Sequence, residues 1–215
     1  APQAAPSAPV PVQSNESVST PGTAAVYFPD AALGAAVKVT LGKSPEYKLT
    51  AGDLAGLAAL TSFTANEQSI EDLTGLEYAV NLVKLDLRKN QISDITPLSS
   101  LTKLDRLALA DNQISDVSPL ESLTNVTVLD LTRNQISDIT PLSSLTKLEW
   151  LELYGNNISD ISPLSPLVNL RGLDLDRNAI TNIDSLSSLT KLDRILLGDN
   201  SISDIRPLSM LMKPT

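Results

Sequence analysis

Asparagine recurs at one fixed spacing through most of this chain. Six asparagines lie 22 residues apart, each preceded by leucines and followed by an isoleucine at constant offsets: Asn90, Asn112, Asn134, Asn156, Asn178 and Asn200. A repeat of this length is typical of a solenoid, in which each unit buries its apolar face only against its neighbours. Because a solenoid offers an extended surface in place of an enclosed pocket, the repeat favours binding over catalysis.

Within each unit, a Leu-x-x-Leu-x-Leu segment such as 82–87 alternates apolar and variable residues, which predicts a short strand. Leu85 and Leu87 would point into the core, and the residues between them would point outward. A Thr-Pro-Leu-Ser-Ser-Leu segment such as 96–101 then returns the chain in a tight or 3₁₀ turn. Stacked units therefore predict a gently curved α/β solenoid, with a parallel sheet on one side and short returns on the other.

The repeat divides the chain into four predicted parts. Residues 1–25 are rich in Pro, Ala and Ser and lack apolar periodicity, which predicts a disordered linker or a terminus without a role of its own. Residues 26–59 are expected to form a helical N-terminal cap. Residues 60–212 hold about seven 22-residue units, of which the first is degenerate and has Gln68 in the asparagine position. Residues 213–215 form a tail.

Two short helices are predicted in the cap. The first begins after Pro29-Asp30, buries Leu33, Val37 and Leu41, and stops at Gly42. The second begins near Thr50, where Thr-Ala-Gly-Asp resembles a capping box, and would bury Leu54 and Leu57. Helices placed directly before a repeat array are expected to cover the open end of its core.

The composition excludes several classes of site. The chain contains neither cysteine nor histidine, which removes disulfides, thiolate nucleophiles, Cys/His zinc sites and histidine-based triads. No metal or other cofactor is therefore expected. The net charge of −9 argues against nucleic acid and anionic membranes as general partners. No run of 18 apolar residues is present, so membrane insertion is not expected.

The recurring polar residues have structural interpretations. A ladder of buried asparagines can satisfy backbone groups of neighbouring coils, since an orphaned polar group costs roughly 1–3 kcal/mol. A second series indicates turns and caps; it comprises Asp72, Asp94, Asp116, Asp138, Asp160, Asn182 and Asp204. Its carboxylates, spread one per coil, would not converge on one calcium ion.

Proline recurs in the return at Pro97, Pro119, Pro141, Pro163 and Pro207, with Gly75 and Ser185 as departures.

The array resembles the bacterial leucine-rich repeats of the internalin type, a 22-residue class shared with eukaryotic phosphatase-regulator repeats. The resemblance covers about Leu60 to Leu211 and is clearest at 134–142, Asn-Gln-Ile-Ser-Asp-Ile-Thr-Pro-Leu. The segment 28–33, Phe-Pro-Asp-Ala-Ala-Leu, is also similar to extracellular members. The resemblance implies a right-handed leucine-rich repeat superhelix that binds proteins on its concave sheet and has short returns on its convex face. It implies no catalysis.

The chain departs from that pattern at its C-terminal end. Internalins usually carry an immunoglobulin-like cap and a wall-anchoring signal after the repeats, and residues 210–215 show neither. Binding to a host-cell receptor is therefore not carried over. An open last coil also predicts self-association through the C-terminal repeat as one alternative.

The predicted binding residues occupy outward strand positions. Trp150, the single tryptophan, shares a strand with Tyr154, and exposed aromatic residues of this kind are typical of binding hot spots. Asp130, Glu152 and Asp174 fall in one column on strands about 4.8 Å apart, which favours a cationic group on the partner. The full predicted ligand-binding set is Trp150, Tyr154, Glu152, Asp130, Asp174, Asp176, Val128, Arg106, Lys84 and Arg88.

Other interpretations of this face remain open. Trp150 could pack sideways over neighbours such as Val128 and shield the sheet. The acidic column could be neutralised by Arg133, Arg171 and Arg177. Small residues beside the aromatic strand would leave room for a partner side chain; they are Ala108, Ala110, Gly172 and Gly198. Paired carboxylates also occur in glycosidases, but those need unequal environments in an enclosed site.

The sequence thus predicts a non-enzymatic protein-binding module. We expect a secreted or surface-exposed bacterial protein, its signal peptide already removed ahead of Ala1, that binds a protein partner, or less favourably a glycan, on the concave face. One alternative is an intracellular regulatory adaptor resembling the phosphatase-regulator repeats. Another is a structural or engineered repeat scaffold without a ligand of its own.

Overall fold

Seven short parallel strands form one sheet in which chain neighbours are also sheet neighbours. The computed structural model describes residues 26–211; the predicted linker 1–25 and the tail 213–215 lie outside the described residues. The strands are β1 Ser62–Thr64, β2 Lys84–Asp86, β3 Arg106–Ala108, β4 Val128–Asp130, β5 Trp150–Glu152, β6 Gly172–Asp174 and β7 Arg194–Leu196. Leu85 pairs with Leu107, and every other pair has the same 22-residue offset. The predicted parallel sheet is confirmed.

Each coil returns through a 3₁₀ turn on the side opposite the strands. The seven returns are Leu76–Tyr78, Thr96–Leu98, Ser118–Leu120, Thr140–Ser144, Ser162–Leu164, Asp184–Ser188 and Arg206–Met210. Five of them carry proline in the first turn, where no backbone donor is lost. In the other two, Gly75 has a φ of 102° and the Ser185 hydroxyl donates to the Ile161 carbonyl at 3.0 Å. The predicted solenoid with short 3₁₀ returns is therefore confirmed.

From residue 26 onward, two α-helices precede the first strand. Helix α1 spans Ala31–Thr40, and the carboxylate of Asp30 caps it by accepting from the Leu33 amide at 2.9 Å. The same carboxylate accepts from the Glu71 amide at 2.7 Å, which ties the helix to the first coil. Helix α2 spans Leu54–Ala59 and follows a capping box at Thr50.

Helix packing follows the predicted apolar pattern closely. Leu33, Val37 and Leu57 are fully buried, whereas Leu41 and Leu54 are partly buried against the same core. These side chains form one continuous core with the leucines of the repeats. The helices thus cover the N-terminal end of the core that the first coil would otherwise expose.

The core is a stack of identical layers. Each inner coil contributes seven apolar side chains that are almost completely buried, as at Leu82, Leu85, Leu87, Ile92, Ile95, Leu98 and Leu101. Burying one such side chain stabilises the fold by about 1.5–3 kcal/mol. Because each layer contacts only the layers beside it, stability accumulates coil by coil.

The six repeated asparagines connect consecutive coils. The Nδ2 of Asn134 donates to the carbonyls of Leu109 in the preceding coil and Leu131 in its own coil, both at 3.1 Å. Its Oδ1 accepts from the Ile114 amide at 3.0 Å. The other five asparagines repeat these contacts. The ladder begins at Asn90, because Gln68 shares the position but its side chain is exposed and bonds locally to the Asn66 carbonyl.

The repeated aspartates close tight turns within each coil. Asp94 Oδ1 accepts from the Thr96 amide at 2.8 Å, and the equivalent residues of the other coils do the same. Hydrogen bonds from Thr96 lower the pKa of the Asp94 carboxyl. At Asp204 the neighbouring Arg206 guanidinium lowers the pKa to about 2. The oxygens of this series are therefore engaged in scaffold contacts, as carboxylates in six coils and as the Asn182 amide in the seventh.

Some contacts repeat every second coil. Asparagine and lysine alternate at one position on the outer side, so that Lys147 Nζ donates to Asn125 at 2.8 Å and Lys191 Nζ donates to Asn169 at 2.7 Å. Lys103 contacts Asn81 in the same way. The structural period of these contacts is two coils. That period agrees with the identity of residues 90–104 and 134–148.

Candidate functional site

The outward side chains of the strands form one surface, here called the sheet face. It has three columns: Lys84, Arg106, Val128, Trp150, Gly172 and Arg194; then Asp86, Ala108, Asp130, Glu152, Asp174 and Leu196; then Arg88, Ala110, Thr132, Tyr154, Asp176 and Gly198. Neighbours in a column lie about 4.8 Å apart. All ten predicted binding residues fall in these columns.

Trp150 lies sideways across the sheet. A β-carbon added at Gly172 would come within 2.1 Å of Trp150 Cε3 and 2.3 Å of Cζ3, so the indole covers this glycine. The predicted open space at Gly172 is therefore wrong, because the tryptophan fills it. The indole covers β6, on the opposite side from Val128, and 37% of the residue is exposed.

Tyr154 is held between two arginines. The guanidinium groups of Arg133 and Arg177 each lie 5.5 Å from the centre of its ring. Such cation–π contacts contribute about 0.5–1 kcal/mol each at exposed sites. Tyr154 is half-buried as a result, and both arginines belong to the exposed surface around its ring.

The acidic column has the predicted register. Glu152 pairs directly with Asp130 on one side and with Asp174 on the other. Asp130 Oδ1 accepts from the Thr132 amide at 3.1 Å, and Asp174 Oδ1 accepts from the Asp176 amide at 3.0 Å. Burial, and next the neighbouring Asp174 carboxylate, raise the pKa of Glu152, and the opposing influence of Arg194 is smaller.

The arginines expected to neutralise this column pair with other carboxylates, so that expectation is wrong. Arg133 pairs with Asp111 at 3.6 Å, Arg177 with Asp199 at 3.1 Å, and Arg171 with Glu149 at 3.7 Å and Asp193 at 3.8 Å. The charges that act on the column are instead Arg194, which acts on Glu152, and Arg88, which interacts with Asp130. The column remains a net acidic surface.

Asp176 has a scaffold contact that its outward position did not reveal. Its Oδ1 accepts a hydrogen bond from the Gly198 amide in the next coil. Asn66 makes the equivalent bond to the Arg88 amide at 2.9 Å. One carboxylate oxygen of Asp176 is therefore already occupied by a hydrogen bond to the next coil, which leaves the other oxygen for a ligand.

A depression crosses the sheet face at the coil that carries Ala108 on β3 and Ala110 just after it. One part, with a volume of about 470 Å³, lies over Ala108, and an adjoining part of about 370 Å³ lies over Ala110. Arg88 and Asp130 border both parts. Lys84, Arg106 and Val128 line the part beside Ala108, together with Asp86 and residues 62–64 of β1. The sequence indicated room at the alanines, and the structure shows that they form the floor of one continuous feature.

Ion pairing at this depression is uneven. Arg88 binds Asp86 through two contacts, Nε to Oδ1 at 2.8 Å and Nη2 to Oδ2 at 2.6 Å. Burial raises the pKa of Asp86, but hydrogen bonds from Arg88 and Asn66 and the charge of Arg88 together outweigh it, so the pKa is lowered. Arg106 has a single, long ion pair with Asp105 at 3.7 Å. Within residues 26–211 the Lys84 ammonium has neither a hydrogen bond nor an ion pair.

The described region contains neither a helix that could span a membrane nor a cluster of metal ligands. Its helices α1 and α2 have 10 and 6 residues, and neither is long and apolar enough to cross a membrane. Among residues 26–211, no group of carboxylates is arranged to hold a metal ion. The feature with the most varied chemistry in this region is the sheet face.

Comparison with known sequences identifies related repeats. Residues 80–122, 102–144 and 146–188 match the family described as leucine-rich repeats in two copies. Internalin H of Listeria monocytogenes serovar 1/2a is 41% identical over 77 residues. That match covers 35% of this chain and 14% of internalin H, so the chain corresponds to a small part of that protein.

Solved structures of Listeria monocytogenes internalins share the fold. Internalin C2 is 38% identical, with a TM-score of 0.69 over 89% of this chain and 94% of that one. The internalin inlF is 31% identical, with a TM-score of 0.70 over 88% of this chain and 62% of that one. The functional domain of InlJ, which includes a cysteine ladder, is 25% identical, with a TM-score of 0.70 over 86% and 44%. The present chain has no cysteine and a ladder of asparagines.

Proposed function

Since the chain belongs to the bacterial leucine-rich repeat proteins of the internalin type, we propose that it is a non-enzymatic recognition module whose sheet face binds a protein partner. We further propose that it acts outside the bacterial cell, in secreted or surface-exposed form. Immunodetection of the native protein in culture medium, cell-wall and cytoplasmic fractions tests that location.

One observation carries the binding proposal. Residues 90–104 and 134–148 are identical, yet the strands that follow them differ at every outward position. One strand presents Arg106 and Ala108, whereas the other presents Trp150 and Glu152 in the same register. Because both strands have the same backbone pairing, the scaffold does not require this variation. Complete variation of the exposed strand positions after an identical 15-residue frame favours ligand recognition as its cause.

The chemistry of the face favours a protein over a reaction substrate. It combines a partly exposed tryptophan, a tyrosine held by arginines, a basic pair and an acidic column, which suit the mixed contacts of a protein interface. The carboxylates lie one per coil on an open sheet, and Glu152 and Asp174 have no surrounding walls that would exclude water. General acid–base catalysis needs such an enclosed environment.

Affinity capture tests the proposal. The parent chain, a Trp150→Ala/Tyr154→Ala variant and an outer-side control, Glu121→Ala/Lys147→Ala, would be compared on bacterial and host extracellular extracts after circular dichroism has shown that each is folded. We expect one partner that the parent and the control retain and the sheet-face variant loses. Equal recovery by all three would place the interface elsewhere. Recovery of no partner by any of them would favour a structural scaffold.

A further inference from the structure

We propose that the part of the depression over Ala108 receives an acidic side chain of the protein partner, held between Lys84 and Arg106. This assignment rests on the proposed function, because it requires the sheet face to be the binding surface. It adds the chemistry of one contact and the direction in which the partner lies across the strands.

The depression has the shape to accept a protruding side chain. Ala108 stands in register between Asp86 on β2 and Asp130 on β4, so a short side chain is flanked by longer ones in its column. Ala110, which is only 5% exposed, lines the adjoining part of the depression. The 470 Å³ above Ala108 exceeds the volume of a carboxylate group and several waters, at about 30 Å³ per water.

The charges around the depression are not balanced. Over Ala108 the lining carries the three cations Lys84, Arg88 and Arg106 against the two carboxylates Asp86 and Asp130. Asp86 is paired with Arg88, which leaves Lys84 and Arg106 opposite the single carboxylate of Asp130. Arg106 has only its 3.7 Å contact with Asp105, and Lys84 has no partner among the described residues. The site therefore offers positive charge to a ligand.

The two basic residues also occupy directly paired positions. Lys84 and Arg106 are opposite each other on neighbouring strands, about 4.8 Å apart at the backbone. Like charges in this arrangement are destabilising. A carboxylate placed between them would relieve the repulsion and form charge-assisted hydrogen bonds with both groups. A partner thus gains an interaction that the free protein does not have.

The acidic column fixes the orientation of the partner. Glu152 and Asp174 lie on β5 and β6, three strands from Lys84 and Arg106, which is roughly 14 Å. A partner that places an acidic residue over Ala108 would therefore present basic residues to Glu152 and Asp174. The reversed orientation would place acidic residues of the partner over Glu152 and Asp174. The net charge of −9 on the protein disfavours it further.

A hexaglutamate peptide is a stringent probe, because the overall charge of the protein opposes its binding. Titration into ¹⁵N-labelled protein at low salt should shift the amides of Leu107, Ala108 and Leu109 saturably. Lys84→Gln/Arg106→Gln should weaken this binding by about tenfold or more. The control Lys147→Gln/Lys191→Gln removes the same charge from the outer side and should have little effect.

Three results would overturn the assignment. These are no shift at β3, equal weakening by both double variants, and equal shifts produced by inorganic phosphate at the same concentration, which would indicate a general anion site. Suppose instead that a captured partner is lost by the Trp150→Ala/Tyr154→Ala variant and kept by Lys84→Gln/Arg106→Gln. That result would contradict the acidic contact and leave the proposed function standing. Localised peptide shifts without any captured partner would support the acidic contact and count against the proposed function.

Discussion

The indole of Trp150 covers Gly172, and a β-carbon at that glycine would lie 2.1 Å from Cε3. The only tryptophan of the chain is thus positioned by the absence of a side chain on the next strand. Its exposed edge faces solvent, while one face of the ring lies on the sheet. This relationship makes the tryptophan a rigid part of the proposed binding surface and also a fluorescent reporter of it.

Gly172→Ala should displace the indole. The added methyl group cannot fit under the ring, so Trp150 must move into solvent at a cost of about 1 kcal/mol. We expect red-shifted tryptophan emission and stronger quenching by acrylamide. Gly198→Ala is the matched control, since its β-carbon would meet Asp176 Oδ1 at 3.2 Å and lies away from the indole. Unchanged emission in Gly172→Ala would contradict the observed packing.

Asn134→Ala should destabilise the array substantially. The Leu109 and Leu131 carbonyls each keep a second asparagine, but the buried Ile114 amide loses its only acceptor. An orphaned donor together with the lost bonds costs about 3 kcal/mol. Urea unfolding measures this loss directly. The exposed neighbour Asn157→Ala serves as the control, and equal stability of the two variants would show that the ladder carries little energy.

Glu152→Gln should stabilise the protein at neutral pH. The pKa of Glu152 is raised in the folded state, so the folded protein binds this proton more tightly than the unfolded chain. Its favourable contribution is present below pH 4.5 and is lost as pH rises through the folded pKa. The glutamine variant cannot ionise and therefore avoids that loss. The expected gain in unfolding free energy is roughly a few tenths of a kcal/mol, the size of one cross-strand repulsion.

Unfolding free energies measured across pH would show the gain of Glu152→Gln shrinking toward zero below pH 4.5. Glu121→Gln, on the outer side, controls for the loss of one negative charge. A gain that persists unchanged in acid would mean that the carboxylate has no special role in the column.

Among side chains introduced at Gly155, aspartate should stabilise the turn edge beside Tyr154 the most. The repeat position just before the asparagine position carries a charge in every coil but one, and the sign of that charge alternates along the stack. Charges on neighbouring coils pair, as in Lys89–Glu67 at 2.6 Å and Arg177–Asp199 at 3.1 Å. Gly155 interrupts this order between Arg133 and Arg177. An aspartate there could pair with both arginines, and each exposed pair contributes about 0.2–1 kcal/mol.

The backbone at Gly155 has a φ of 66°, close to the 51–58° of the charged residues at equivalent positions, so every substituted side chain has the same left-handed strain and the comparison among them isolates the charge. Gly155→Asn provides the neutral control with the same shape. Thermal melts should rank Asp above Asn and Lys below it, and high salt should reduce these differences. Equal stability of the three variants would show that the two arginines gain nothing from a charge at residue 155, and the reverse order would contradict the account.

The fold could be predicted from the sequence because one period fixes both the phase of the leucines and the register of the strands. Once Asn90 and Asn112 are equivalent, Lys84 must pair with Arg106, and the columns of the sheet face follow. The helices of the cap were predictable for local reasons, since the capping residues at Asp30 and Thr50 mark where they begin.

The site was less predictable, because an outward position does not determine where a long side chain turns. Trp150 covers Gly172 since the neighbouring strand leaves space there, which is a property of two coils together. Arg133 and Arg177 were assigned to the acidic column, but their left-handed backbone places them in a separate column with Asp111 and Asp199. The alternation of charge at that repeat position was a usable signal.

The central claim is that the sheet face binds the partner, and charge exchange tests it most directly. Lys84→Glu/Glu152→Lys and the outer-side pair Lys147→Glu/Glu121→Lys each preserve the net charge of −9. The dissociation constant for the captured partner should rise by about tenfold or more in the first variant and stay nearly constant in the second. Equal affinities in the parent and both variants, or a loss confined to the outer-side variant, would contradict the account.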